Sequence, residues 1–212
     1  MAKKSAITTT KKQQGVFIVV EGMDGAGKDT QIEFLKEYLK GRDVVYVREP
    51  GGTPQSEAIR AVILAQRYDA KTEALLFYAA RNELLERVIR PALEAGKIVI
   101  SNRFELSTFA YQIYGREQNI RPFILSLSKH IVGTRKPHYF FFDLPATVAK
   151  QRIESRGGES RFDAEQQAFF ERLRKGYKKE LKGIKRSYII DASKDVMSVK
   201  DAFLKKISTV LP

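Results

Sequence analysis

The residues Gly22-Met23-Asp24-Gly25-Ala26-Gly27-Lys28-Asp29-Thr30 place a lysine directly after two glycines set five positions apart. This G-x-x-x-x-G-K spacing is that of a phosphate-binding loop, the P-loop. Glycines let the backbone curl until successive N–H groups point at phosphate oxygens, and the helix that follows adds its positive N-terminal end. Lys28 supplies a full charge near the phosphate to be transferred, so the whole run from Gly22 to Thr30 is expected to bind the phosphates of a nucleotide. The residue after such a lysine is usually Ser or Thr, whose hydroxyl reaches Mg²⁺. Here it is Asp29. A carboxylate also ligates Mg²⁺, but it sets negative charge beside the β- and γ-phosphates, and a metal ion has to stand between them.

Two arginines point to a second anion. Arg48 opens Arg48-Glu49-Pro50-Gly51-Gly52-Thr53, and Arg103 lies in Asn102-Arg103-Phe104; each follows an apolar run that reads as a strand. In doubly wound sheets ligands bind beyond the carboxyl ends of the strands. Arg48 and Arg103 are therefore expected to face the loop that holds Lys28. Two cations opposite a P-loop suit an acceptor phosphate.

The elements that must position these residues show in the hydrophobic pattern. Continuous apolar runs at Val16–Val20, Val44–Val47, Ile98–Ile100, Tyr139–Phe142 and Tyr188–Ile190 suit strands buried on both faces. Helical spacing recurs between them: Ile32, Leu35 and Leu39; Leu76, Leu84, Leu85, Val88 and Ile89, closed near Gly96; Ile120, Ile124, Leu127 and Ile131; Phe169, Phe170, Leu173 and Tyr177; and Val199, Phe203, Leu204 and Ile207. Strands alternating with helices predict an α/β fold, a parallel sheet of about five strands wrapped by helices, of the P-loop NTPase kind. Residues 1–15 read as a disordered basic tail and 16–212 as one domain.

Composition narrows the classes further. The 212 residues include no Cys and two His, which removes disulfide and thiol chemistry and argues against a structural zinc site. No apolar run approaches the roughly 20 residues of a membrane span, and the start lacks the apolar stretch of a secretory signal. A cytoplasmic setting is expected. The net charge is +13; Lys3, Lys4, Lys11 and Lys12 of the tail contribute 4 of it, and Lys150–Arg186 carries 12 basic against 6 acidic residues. Such a balance favours polyanionic partners: nucleotides, nucleic acid through the tail, or an anionic surface.

The segments VVEGMDGAGK, YVREPGGT, LLFYAAR, NRFELSTFAYQ and RGGESRFD, in this order, resemble bacterial-type thymidylate kinases over roughly residues 16–210. The resemblance implies a nucleoside monophosphate kinase-like fold with a short lid at about 152–163, a homodimer, and Mg²⁺-dependent phosphoryl transfer from ATP to dTMP. By matching position, Asp24 would hold the sugar 3′-hydroxyl, while Arg48 and Arg103 grip the dTMP phosphate. Phe77 would stack on thymine, and Arg81, four residues on, would reach the base edge. Thr108 and Gln112 would bind the base from the other side, Gln112 offering a donor and an acceptor. Tyr111 would pack where a ribose 2′-hydroxyl would lie. Some relatives carry an arginine where this chain has Gly25; those with glycine place the catalytic arginine in the lid, which makes Arg156 and Arg161 the candidates beside Lys28 and Arg103. Arg152 would lie against adenine, and Ala192-Ser193 would line its pocket.

Two positions depart from the family pattern. Asp29 replaces the hydroxyl residue, and Asn102 replaces an aspartate that organises Mg²⁺ through water. The two departures suggest a magnesium carboxylate moved from position 102 to position 29. Two other readings stay open at this point: a kinase for dUMP or a 5-modified pyrimidine, since a methyl contact is worth only ~1–3 kcal/mol, and a nucleotide- or nucleic-acid-binding module without catalysis.

Overall fold

A computed structural model describes residues 15–134, 137–157 and 162–211. The lysine-rich residues 1–14 and Arg161 lie outside the described residues. Gly15, counted with the tail by sequence, belongs to the fold: its N–H donates to the Leu93 carbonyl at 2.9 Å.

Five strands form one parallel sheet in the order β2-β3-β1-β4-β5: β1 Val16–Glu21, β2 Val44–Arg48, β3 Ile98–Asn102, β4 His138–Asp143 and β5 Ser187–Asp191. Each expected apolar run is a strand, extended by a residue or more toward its polar carboxyl end. Register aligns those ends: Val20 and Arg48 both pair with Asn102, Glu21 pairs with Phe141, and Asp143 with Asp191. The charged and polar residues Glu21, Arg48, Asn102, Asp143 and Asp191 thus terminate five strands along one edge. From β1 the chain crosses past β3 to reach β2, whereas every later connection runs the opposite way across the sheet. That reversal opens the crevice at the end of β1.

Alternation along β4 explains why its triplet of phenylalanines is wholly buried. Phe140 and Phe142 meet Phe203 edge-on, with centroids 5.4 and 5.0 Å away, while Phe141 stacks on Tyr177 at 5.0 Å on the other face. Successive strand side chains point to opposite faces, so one strand seals two helical layers. Phe203 belongs to α9 (Val196–Ile207) and Tyr177 to α8 (Gln167–Leu181). Among the described residues no helix is long and apolar enough to cross a membrane.

Helices α1 (Lys28–Tyr38), α6 (Arg121–Ile131), α8 and α9 carry the expected stripes. The long helix anticipated up to Gly96 is three pieces: α3 (Ala70–Leu84), a π-helical stretch Leu85–Ile89, and α4 (Arg90–Glu94). Pro91 has no N–H for the carbonyl four residues back, which favours a locally widened helix. Three helices carry no stripe in the sequence reading: α2 (Pro54–Ala65), α5 (Glu105–Thr108) and α7 (Ala146–Ser155). α5 runs straight into a second π-helical stretch, Phe109–Gly115.

Candidate active site

The P-loop is built as its sequence requires. β1 ends at Glu21, the chain turns through Gly22 and Gly25, and Gly27 starts α1 in the left-handed region with φ 79°. No side chain caps the first turn of α1. A Cβ on Gly27 would meet open space, whereas one on Gly25 would stand 2.7 Å from the Ala149 carbonyl. Position 25 therefore has no room for an arginine while α7 lies where it does. Met23 and Ala26 are buried beneath the loop, and Thr30 is exposed on α1. Lys28 is buried and its Nζ donates to the Met23 carbonyl at 2.9 Å. Burial, reinforced by Arg103, brings its ammonium down to about 8 against the pull of Asp24, Asp29 and Glu21.

Arg103 holds φ 69°, a costly conformation for a residue with a Cβ. Its surroundings over-determine it. Its own N–H donates to the Val20 carbonyl at 2.8 Å, Ser101 Oγ donates to its carbonyl at 2.7 Å, and the next N–H, of Phe104, donates to Glu21 Oε1 at 2.9 Å. The fully buried Glu21 also accepts from Ser107 Oγ at 2.7 Å. Burial pushes this carboxyl up, against its hydrogen bonds and Arg103. The Arg103 guanidinium reaches the P-loop: Nη1 donates to the Gly22 carbonyl at 3.0 Å and Nη2 is paired with Asp24 Oδ1. The other Asp24 oxygen accepts from the Tyr111 hydroxyl at 2.8 Å. Burial would raise Asp24, but Arg103, Lys28 and Tyr111 overcome it and hold the carboxyl at about 2.

One cavity of about 300 Å³ unites most of the expected residues: Asp24, Lys28, Asp29, Arg48, Phe77, Arg81, Asn102, Arg103, Thr108, Tyr111, Gln112 and Arg156 all line it. Arg48 Nη1 donates to the Pro50 carbonyl and Nη2 to Glu57 Oε2, both at 2.9 Å. Arg60, which the sequence reading missed, joins it by donating to the same carbonyl at 3.0 Å, and it too lines the cavity. The signal for Arg60 was Thr53-Pro54: Thr53 Oγ1 accepts from Ser56 N, and proline at the first turn starts α2. Arg60 therefore joins Arg48 and Arg103 in lining the cavity.

Arg81 is fully buried. It donates through Nε to Glu49 Oε2 at 2.9 Å and through Nη2 to the Phe104 carbonyl and Thr108 Oγ1 at 3.1 and 3.0 Å. Burial, with repulsion from Glu21 and Glu105, pushes the Glu49 carboxyl up to about 7 despite Arg81. Thr108 thus serves Arg81 as well as facing the cavity. The Tyr111 ring lies edge-on to Phe162 and Phe169, at 5.4 and 5.9 Å. Phe77 is half-buried on the cavity wall.

Arg152, Ala192 and Ser193 lie round the P-loop and do not line this cavity. Arg152 on α7 bridges the loop to the end of β5, donating to the Gly25 and Ala192 carbonyls at 3.4 and 3.3 Å. Ala192 is buried, and Ser193 Oγ donates to Asp191 Oδ1 at 2.6 Å. Arg156 follows α7 and approaches both Asp163 oxygens at 3.4 Å.

The two departures from the family pattern touch each other. Asn102 Nδ2 donates to Asp29 Oδ1 at 2.5 Å, and Asn102 Oδ1 is buried with no partner among the described residues. Carboxylate and amide oxygens are hard donors, which fits Mg²⁺. Among the described residues no three His, Cys, Asp or Glu side chains form a metal cage.

Comparison with known proteins agrees with this geometry. The family model described as Thymidylate kinase matches residues 20–203. A thymidylate kinase of Caulobacter vibrioides is 48% identical over 170 residues, 77% of this chain and 81% of that one. One from Cupriavidus necator is 39% identical over 93% of this chain and all of its own, and one from Pseudomonas fluorescens 41% over 93% and 97%. A phosphate loop, an arginine-walled cavity facing it and relatives matched nearly end to end make this chain a member of the thymidylate kinase family.

Proposed function

We propose that the chain transfers the γ-phosphoryl group of ATP to dTMP, giving ADP and dTDP for dTTP synthesis. The observation that carries the proposal is that Lys28, Arg48, Arg60 and Arg103 all line one cavity. An oxygen of the acceptor phosphate attacks the γ-phosphorus, and the bond from that phosphorus to the β-bridging oxygen breaks. Charge spreads over the equatorial oxygens as it does so, and fixed cations answer it.

Roles follow position. Lys28 and the loop glycines take the ATP phosphates, and Arg103 the acceptor phosphate with Arg48 and Arg60. Asp24, charged and shared by Arg103 and Tyr111, receives the sugar hydroxyl. Phe77 covers the base, and Arg81, Thr108 and Gln112 meet its edge. Arg152, Ala192 and Ser193 lie on the adenine side. Arg156, and Arg161 in the segment outside the described residues, bring positive charge from the lid to the reacting group. Asp29 and Asn102 Oδ1 hold Mg²⁺, directly or through water. When bound with ATP, the ion neutralises charge on the β- and γ-phosphates.

The protein works as a homodimer in this reading. Val62, Leu75 and Leu125 are 46%, 49% and 47% exposed; they lie on α2, α3 and α6, and α3 packs against both of the others. Its substrates place it in the cytoplasm, and the lysines of residues 1–14 are the segment assigned to any nucleic-acid contact. A turnover panel of dTMP, dUMP, dCMP and dGMP with Mg²⁺-ATP tests the function. Rapid ADP release with dTMP is expected; a chain that binds ATP yet turns over none of the four would overturn it.

A further inference from the structure

Among the described residues that line the cavity, four buried side-chain atoms have no partner, Glu49 Oε1, Arg81 Nη1, Asn102 Oδ1 and Gln112 Oε1, and two of them, on Arg81 and Gln112, are of opposite sense. Gln112 is fully buried, and its Nε2 donates to Glu73 Oε2 at 3.1 Å. Glu73, also fully buried, stands in the first turn of α3. A carboxylate only accepts, so the amide nitrogen must face it and the amide oxygen is turned away. That Oε1 is the unpartnered acceptor. Arg81 uses Nε and Nη2 within the protein, and its Nη1 is the unpartnered donor. Both residues line the cavity. Buried polar groups are nearly always satisfied. Asn102 is bonded to Asp29 at the P-loop; the Arg81 donor and the Gln112 acceptor suit a ligand edge that carries one of each, as the N3–H and adjoining carbonyl of thymine or uracil do.

The sense of that edge depends on a residue outside the cavity lining. Arg116 Nη2 lies 3.5 Å from Glu73 Oε1 and supplies the counter-charge, while its Nη1 donates to Glu165 Oε1 at 3.0 Å. With a side chain at 73 that both donates and accepts, the Gln112 amide would be free to turn over and offer its NH₂ to the ligand. That is the group a cytosine ring nitrogen wants.

We propose that Glu73 is the positioning residue that sets base choice: by fixing the Gln112 amide oxygen toward the base, it makes the site read a pyrimidine bearing N3–H and refuse cytosine. The proposal rests on the reading of the site as a pyrimidine deoxynucleotide kinase. It explains a discrimination that thymine and uracil share.

The test is kcat/KM for dTMP, dUMP and dCMP in the native protein, in Glu73→Gln, and in the exchange variant Glu73→Gln with Gln112→Glu. Glu73→Gln is expected to narrow the dTMP-over-dCMP ratio at least about tenfold, chiefly through KM for the nucleotide acceptor, with KM for ATP unmoved. The exchange restores the ratio, because a carboxylate at 112 accepts from the amide at 73 and still offers an oxygen to the base. A merely structural Glu73 would lower the melting temperature and reduce all three acceptors alike; an unchanged ratio overturns the proposal. Should Glu73→Gln not fold, the native protein decides with 3-deaza-dTMP, which has C–H where dTMP has N3–H. Use at least about 100-fold poorer than dTMP is expected, and equal use overturns the proposal. Failure of the native protein to turn over dTMP at all would instead sink the function proposed above.

Discussion

Asp24 lies in the P-loop and Asp29 in the first turn of α1, and they answer to different partners. Asp24 is locked between Arg103 and Tyr111, while Asp29 is bonded to Asn102. If Asp29 is the magnesium carboxylate, Asp29→Thr removes that charge without returning the one absent at 102. We expect kcat to fall about tenfold or more and Mn²⁺, bound in the presence of ADP and followed by its spin resonance, to bind more weakly. Unchanged metal affinity and kcat would defeat the relocation. Lys28 gives a pH signature. Its folded pKa is lowered to about 8, so the ammonium that attracts ATP is present below that value and lost above it. In the free enzyme, kcat/KM for ATP should decline as pH rises through about 8, measured over roughly pH 6 to 10. Bound phosphate favours the charged form, so kcat should hold to higher pH. A kcat/KM flat to pH 10 would contradict the environment described for Lys28.

At the level of elements, the strands were legible and several helices were not. Runs such as Val16–Val20 and Tyr139–Phe142 are apolar at every position because both faces are covered, and no helix stripe mimics that. α2 shows no such clean signal: its Val62 is exposed while its buried Ser56 donates to the Ala80 carbonyl at 2.8 Å. Arg60 was lost with it. The stretch Phe109–Gly115 is π-helical, a period that α-helix spacing does not detect. Arg48, Arg103, Phe77, Arg81, Tyr111 and Gln112 were legible because their neighbours in sequence carry the family pattern. Glu21, Glu49 and Glu73 were not, since their partners are 32 to 156 residues away. The cap of α2 can be tested directly. Thr53→Ala removes the acceptor for Ser56 N and should cost ~1 kcal/mol, a fall of about 2–4 °C in melting temperature for a domain of this size. Thr53→Ser should recover most of the loss; equal stability of all three proteins would show that the cap contributes nothing.

Across the whole molecule, the sheet brings opposite charges to one edge and the helices carry apolar side chains on the outside. Leu75 and Leu125 stay half-exposed on packed neighbours, which a second copy would cover. Leu75→Glu should convert a dimer to a monomer in analytical ultracentrifugation, leaving the far-ultraviolet circular dichroism unchanged. A native protein that sediments as a monomer at all concentrations would contradict the assembly. Two anion sites sharing one cavity are the central feature of the proposed reaction. Phosphorus NMR of the native protein with Mg²⁺-ATP and dTMP tests this most directly. dTDP and ADP should appear in equal amounts, and their formation should be nearly abolished in Arg103→Ala with ATP binding retained. Undiminished dTDP formation by Arg103→Ala, or ATP consumed without dTDP, would contradict this reaction.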